Sequence, residues 1–142
     1  MPQVTYIGLP ALIARGMGAL EHAVGQAAED LQGRAQAQLA DHVVTGNLKA
    51  SIHVDGPEAA GMGVEAKVAT GGESSEYAIP QHEGSAPHVI RPRNGKVLAF
   101  NGTFATVVNH PGNPPLKYLE IPLIGMAPVY RAYLHRAARS AY

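Results

Sequence analysis

The chain has 142 residues, with eleven basic and eleven acidic side chains, seven histidines and no cysteine. Its formal net charge is zero, so no whole-molecule field draws it to DNA or to an anionic membrane, and any nucleic-acid contact has to be local. Without cysteine neither a disulfide framework nor a thiolate zinc site can form; a domain of this size buries roughly two-thirds of the surface its unfolded chain exposes and has to stand on packing.

The first residues lack a basic segment followed by an uninterrupted apolar one, because Arg15, Glu21 and several glycines break the first candidate window. No apolar run approaches the roughly 18 residues that a membrane span requires. The composition therefore reads as a single soluble domain over residues 1–142, made in a cytoplasm and not exported by itself. Asn101-Gly102-Thr103 fits the glycosylation pattern only by accident in that setting.

From about Pro10 to Val43 the apolar residues Ile13, Met17, Leu20, Val24, Ala28, Leu31, Ala35 and Leu39 recur every three or four positions. That spacing predicts one long helix with a core-facing seam. Gly16, Gly18, Gly25 and Gly33 each weaken it by about 1 kcal/mol relative to alanine, so a bend or break near Gly16 to Gly25 is expected unless packing compensates. Thr45-Gly46-Asn47 ends the helix, and Leu48 to Ile52 forms a short helical turn.

Ile52 and Val54, then Met62, Val64, Ala66 and Val68 after a Gly-Pro turn, alternate with polar or small residues. This is the period of two half-buried strands that pair as a hairpin. Residues 70–76 read as a polar loop. Tyr77 to Gly84 contains Pro80, which cannot donate to a sheet ladder, so it is an edge segment or a helical turn. Next, Asn94-Gly95 and Asn101-Gly102 each sit between short apolar segments and suit tight type I′ turns. They predict a three-strand meander at about Pro87 to Pro92, Lys96 to Phe100 and Thr103 to Val108. Five prolines and two glycines between Asn109 and Pro128 disfavour regular structure, so the stretch at about 109–127 reads as loop-rich and pre-stiffened for docking. Met126, Val129, Tyr130, Tyr133, Leu134 and Ala137 mark one side of a C-terminal helix starting near Pro128, with Arg131, His135 and Arg139 on another. The fold class expected is α+β: a long N-terminal helix on a mainly antiparallel sheet of hairpin plus meander, followed by a C-terminal helix.

Chemistry-bearing motifs are sparse. His82, Glu83, His88 and His110 form the best metal-like group, but position 86 is Ala86 where the zinc-protease helix motif needs histidine. Ser74 and Ser75 lie in a polar loop with no nucleophile elbow, and the glycines around Gly16 and Lys96 complete no phosphate-binding loop. Glu73, Glu76 and Glu83 fit a solvated loop face better than an acid–base pair. One electrostatic feature stands out. Residues 86–117 carry Arg91, Arg93, Lys96 and Lys117 and no acidic residue, and residues 126–142 add Arg131, Arg136 and Arg139. Arg91, Arg93 and Lys96 surround Asn94-Gly95, giving a hairpin a cationic tip. Such a tip is either an ordinary solvated turn or a contact to an acidic surface or to DNA, where phosphate neutralisation is sequence-independent.

An ordered set of short segments carries a family resemblance: Thr45-Gly46-Asn47-Leu48-Lys49-Ala50-Ser51-Ile52, Tyr77-Ala78, Glu83-Gly84-Ser85, then PHVIRP (87–92), GKVLAF (95–100) and VNHPG (108–112). Together they resemble the tail-completion, or head–tail joining, proteins of long-tailed bacteriophages, over most of the chain. The resemblance implies a virion structural protein of the phage neck, made in the bacterial host, that completes the tail and joins it to the DNA-filled head. It implies a small α+β subunit in a ring, hexamer-like, around the DNA channel. Its neighbours would be a head-closure protein and a tail terminator or tail tube, with sequence-independent contact to DNA and none to membrane. The family brings no catalytic residue, metal or cofactor. The residues placed at its contacts are Arg91, Arg93, Asn94 and Lys96 at the hairpin and His110, Pro111, Gly112 and Asn113 in the HPG loop.

The chain departs from the pattern after that loop. Many relatives continue with Pro-Phe-Leu, whereas here Leu116-Lys117-Tyr118-Leu119 precedes an additional IPLIGMAP stretch, which leaves the docking of the last helix open. The rival readings are a tail terminator capping the tail tube, a monomeric binding module, and a small metal-dependent enzyme using the His82, Glu83 and His88 region.

Overall fold

The computed structural model describes residues 9–42, 46–71 and 75–141. Helix α1 runs unbroken over Leu9–Gln38, despite its glycines, and a short 3-10 turn follows at Ala40–His42. Its buried face is built mostly of small side chains, Ala23, Ala27, Ala28 and Ala35, with Leu31, and Leu39 just past its end continues that face. Of the expected seam, Met17, Leu20 and Val24 are half-buried and Ala28, Leu31, Ala35 and Leu39 are buried, and Ala23 and Ala27 widen it. Small residues let neighbouring elements approach the helix axis closely, and that packing offsets the helix-weakening glycines. The side chain of Ile13 and residues Val43 and Thr45, which the expected helix and its stop included, lie outside the described features.

Helix α2 (Asn47–Ser51) follows Gly46, whose φ of 80° is left-handed. Strands β1 (Ile52–Ala60) and β2 (Gly63–Thr70) form the expected antiparallel hairpin. The turn is not at Gly56-Pro57, however. That dipeptide makes a bulge between Asp55 and Glu58, where the ladder shifts register, and the chain reverses at Gly61-Met62. Within the bulge the Gly56-Pro57 peptide is cis and Gly56 has φ of 93°, and Pro57 comes to rest against α1 at Gly25.

Helix α3 (Ser75–Glu83) takes the helical option for the Pro80 segment. The next four strands, β3 (His88–Ile90), β4 (Leu98–Phe100), β5 (Thr103–Ala105) and β6 (Val108–His110), are all antiparallel, but they nest rather than meander: β3 pairs with β6 and β4 pairs with β5. The reason lies in the two Asn-Gly pairs. Asn101 and Gly102 have φ of 47° and 75°, the positive pair a tight hairpin needs, whereas Asn94 and Gly95 are not among the described residues with positive φ. Pro92 withholds a donor just after β3, and residues 91–97 loop out of the ribbon instead of turning it. Helices α4 (Glu120–Gly125) and α5 (Ala127–Ala141) close the chain, so the proline-rich stretch holds one strand and one short helix that composition argued against.

The body is α1 with α5 packed along it and the β1–β2 hairpin laid across it. Ala35, Leu39, Ile52 and Tyr118 form the centre of the core, with Leu48, Val68, Leu116 and Leu119 packed around them. Three glutamines of α1 fasten neighbouring backbones. Gln32 donates to Ile52 O at 2.7 Å, Gln36 to Lys49 O at 3.3 Å and Gln38 to Leu116 O at 3.1 Å. Between α1, β2 and α5 an apolar cavity of about 270 Å³ remains, lined among others by Ala27, Leu31, Val68 and Tyr133. Among the described residues no helix is long and apolar enough to cross a membrane.

Candidate functional site

The four nested strands form an arm, residues 88–110, whose substantial contacts are strand to strand within the arm and not with α1, α5 or the β1–β2 hairpin. Its root is a backbone-to-backbone clasp. Ser85 N–H donates to Asn113 O and Asn113 N–H to Ser85 O, both at 3.0 Å, and the Asn113 amide also reaches Ser85 Oγ at 3.1 Å. Two glycines permit this approach. At Gly112, with φ of 84°, a Cβ would stand 2.2 Å from Ser85 O; at Gly84, with φ of 80°, it would stand 2.8 Å from Asn113 O. Glu83-Gly84-Ser85 and the HPG loop, twenty-odd residues apart in sequence, are thus two halves of one structure.

Two histidines finish the root. His110 Nδ1 accepts the Gly112 N–H at 3.0 Å, which places the proton of a neutral ring on Nε2. His88 Nδ1 lies 2.9 Å from Ala86 O and has to be the donor there. The rings stack, 5.0 Å between centroids and 27° between planes, across the His88–His110 register pair.

Below the clasp the chain after the HPG loop caps α3. Leu116 and Lys117 donate their amides to Gln81 O and His82 O at 3.1 and 3.0 Å, satisfying carbonyls at the helix end. Lys117 adopts φ of 48° to do so, and its ammonium pairs with Glu83 and, at 3.2 Å, with Glu120. A cation at a helix C-terminus also meets the negative end of the helix dipole. Hydrogen bonds from Lys117 and then His82 hold the Glu83 carboxyl below its usual range, and the bond to Glu83 raises Lys117. His82 Nδ1 contacts Glu83 Oε1 at 2.7 Å, while its ring meets the Tyr118 ring edge-on at 5.0 Å. Tyr118 is buried, its hydroxyl donates to Ala78 O at 3.1 Å, and burial pushes its phenol up.

These groups brace the arm against the body. Lys117, one of the basic residues of the acid-free stretch 86–117, is ion-paired, and His82, Glu83, His88 and His110 divide into two separate structural sets. Among the described residues no three His, Asp or Glu side chains converge as metal ligands. Glu73 and Ser74 lie outside the described residues.

The expected contact residues fall at two places. His110, Pro111, Gly112 and Asn113 belong to the root, whereas Arg91, Arg93, Asn94 and Lys96 are exposed on the 91–97 loop at the side of the arm. The loop replaces the expected cationic hairpin tip. The true tip is Asn101-Gly102, flanked by Phe100 and Phe104, which are 47% and 70% exposed. The register places Ala99 opposite Phe104 and Phe100 opposite Thr103, so alternation puts the two rings on opposite faces of the ribbon. Val89, Val97 and Val107 extend the exposed apolar surface. These apolar residues escaped the sequence reading because an isolated two-stranded ribbon shows the same period as a half-buried sheet. No family model, curated protein or solved structure matches the chain.

Proposed function

We propose that the protein is a structural subunit of the neck of a long-tailed bacteriophage, which completes the tail and joins it to the DNA-filled head. The observation that supports this reading is the arm: a ribbon with apolar residues on both faces and unpaired cations beside them, held at its root by the segments that carry the family resemblance. Exposed apolar surface of this extent on a short ribbon serves contact with other chains. Most ionisable groups at the root, Glu83 and Lys117 foremost, are engaged in bracing, which suits an assembly part, although the buried His82 Nε2 has no hydrogen-bond partner among the described residues. In this reading copies of the chain form a ring around the DNA channel, between a head-closure protein and the tail terminator or tail tube, and the protein resides in the virion.

The test is electron microscopy of lysates from a phage with an early stop codon in this reading frame. Filled heads beside separate tails of normal length are the expected result. Overlong tail tubes would move the assignment to a tail terminator, and normal infectious virions would overturn it.

A further inference from the structure

Charge is unevenly divided along this neutral chain. Ten acidic and four basic residues precede position 84, and one acidic and seven basic residues follow it. On the folded molecule the division becomes two surfaces. The side loop of the arm presents Arg91, Arg93 and Lys96, all exposed, and none of them forms an ion pair with a described residue. The outer face of the β1–β2 hairpin presents Asp55, Glu58 and Glu65 against the single cation Lys67.

That hairpin face is electrostatically incomplete. Glu58 stands directly opposite Glu65 in the ladder, and like charges at a cross-strand position repel. Glu65 has Lys67 at 3.4 Å and Asp55 has His53 at 3.5 Å, while Glu58 has no cationic partner among the described residues. Beyond the carboxylates the hairpin ends in Met62, fully exposed at the turn. The hairpin thus offers an apolar tip beside an acidic face, and the arm offers an apolar tip beside a basic loop. Within one molecule the two ribbons share no substantial contact among the described residues.

We infer that the arm of one copy docks on the β1–β2 hairpin of a second copy, its basic loop against Glu58 and Glu65 and the apolar tip of the ribbon, through one of its two faces, against the Met62 end. This rests on the self-assembly in the reading above and names the surfaces that make it. The two patches differ, so the contact is heterologous: each subunit gives an arm to one neighbour and a hairpin to the other, and copies related by a closing rotation form a ring. Charge complementarity sets the register and the encounter rate, and the apolar side chains on the docked face of the tip supply the hold. A DNA partner would meet the three cations but would leave Phe100, Phe104 and Met62 in water.

The native chain has no cysteine, so single introduced thiols report the contact in the full-length protein. Asn94→Cys chains mixed with Met62→Cys chains and a short bis-maleimide should give cross-linked dimers. The yield should exceed that of Asn94→Cys with Ala138→Cys, a control on exposed α5 surface, by about tenfold. Arg93→Glu with Lys96→Glu in the first chain should abolish the excess, and Glu58→Lys with Glu65→Lys in the second should restore it. Equal yields at both positions, or a yield indifferent to these reversals, would overturn the inference. Reversals that change duplex-DNA retention and leave cross-linking unaltered would assign the loop to DNA instead. A ring that forms without the cross-link removes only this contact, whereas normal virions made without the protein remove the neck assignment whatever the cross-link shows.

Discussion

Gly112 sits where two stretches of backbone nearly touch. A methyl group there would collide with Ser85 O, and the left-handed φ disfavours any L side chain independently of space. Gly112→Ala should therefore lower the unfolding free energy by about 3 kcal/mol, read by urea denaturation, because neither the HPG loop nor the backbone at Ser85 can yield without opening the clasp. Glu83 contributes differently. Its carboxyl is held low by Lys117 and His82, so its share of stability is present above the ordinary carboxylate range and fades as pH falls through its depressed value. Lys117, raised by the same pair, loses its share only as pH climbs through its elevated value in the alkaline range. The pair thus acts across the neutral window, and Glu83→Gln should flatten the acid limb of stability against pH while leaving the neutral fold intact. Both side chains are substantially exposed, so the effect is small. The glycines and histidines of this root were visible in the sequence as motifs, but their partners were not: nothing local links Gly112 to Ser85, since the contact spans the whole arm.

Among the elements, α1 was the most legible, because its apolar spacing repeats over eight turns. Its alanines are the reason α5 and the β1–β2 hairpin fit against it. Ala35 is fully buried in the central cluster, and Ala35→Leu should destabilise by roughly 1–3 kcal/mol through overpacking, measured by denaturant midpoint at unchanged slope. The arm behaves oppositely. Deleting β4, the Asn101-Gly102 turn and β5 removes strands whose substantial contacts are with each other, so thermal unfolding should shift by no more than about 4 °C, the equivalent of roughly 1 kcal/mol for a domain of this size. The meander expectation failed where two Asn-Gly pairs competed for one hairpin. Local propensity is equal at both, and the choice falls to the pairing of His88–Ile90 with Val108–His110, which the short-range pattern does not encode. The positions of α4 and of the bulge at Gly56-Pro57 were hidden for a similar reason. Proline forbids interior hydrogen bonds but permits helix starts and bulges, and composition alone does not distinguish them.

At the scale of the whole molecule, a small α+β body carries two ribbons of opposite charge and apolar end, one of them rooted by the residues that resemble the neck family. The body explains stability, and the ribbons carry the association proposed above. Salt should separate the two: raising ionic strength from 0.05 to about 1 M shortens the screening length several-fold and should weaken arm-dependent association without lowering the urea midpoint of the monomer. The most direct measurement is complementation in vitro, in which purified protein is added to a lysate of the stop-codon phage containing filled heads and free tails. Plaque-forming particles should appear with the wild-type chain and not with the arm-deleted chain, although both are folded. Failure of the wild-type chain to restore infectivity, or equal restoration by the arm-deleted chain, would contradict the account.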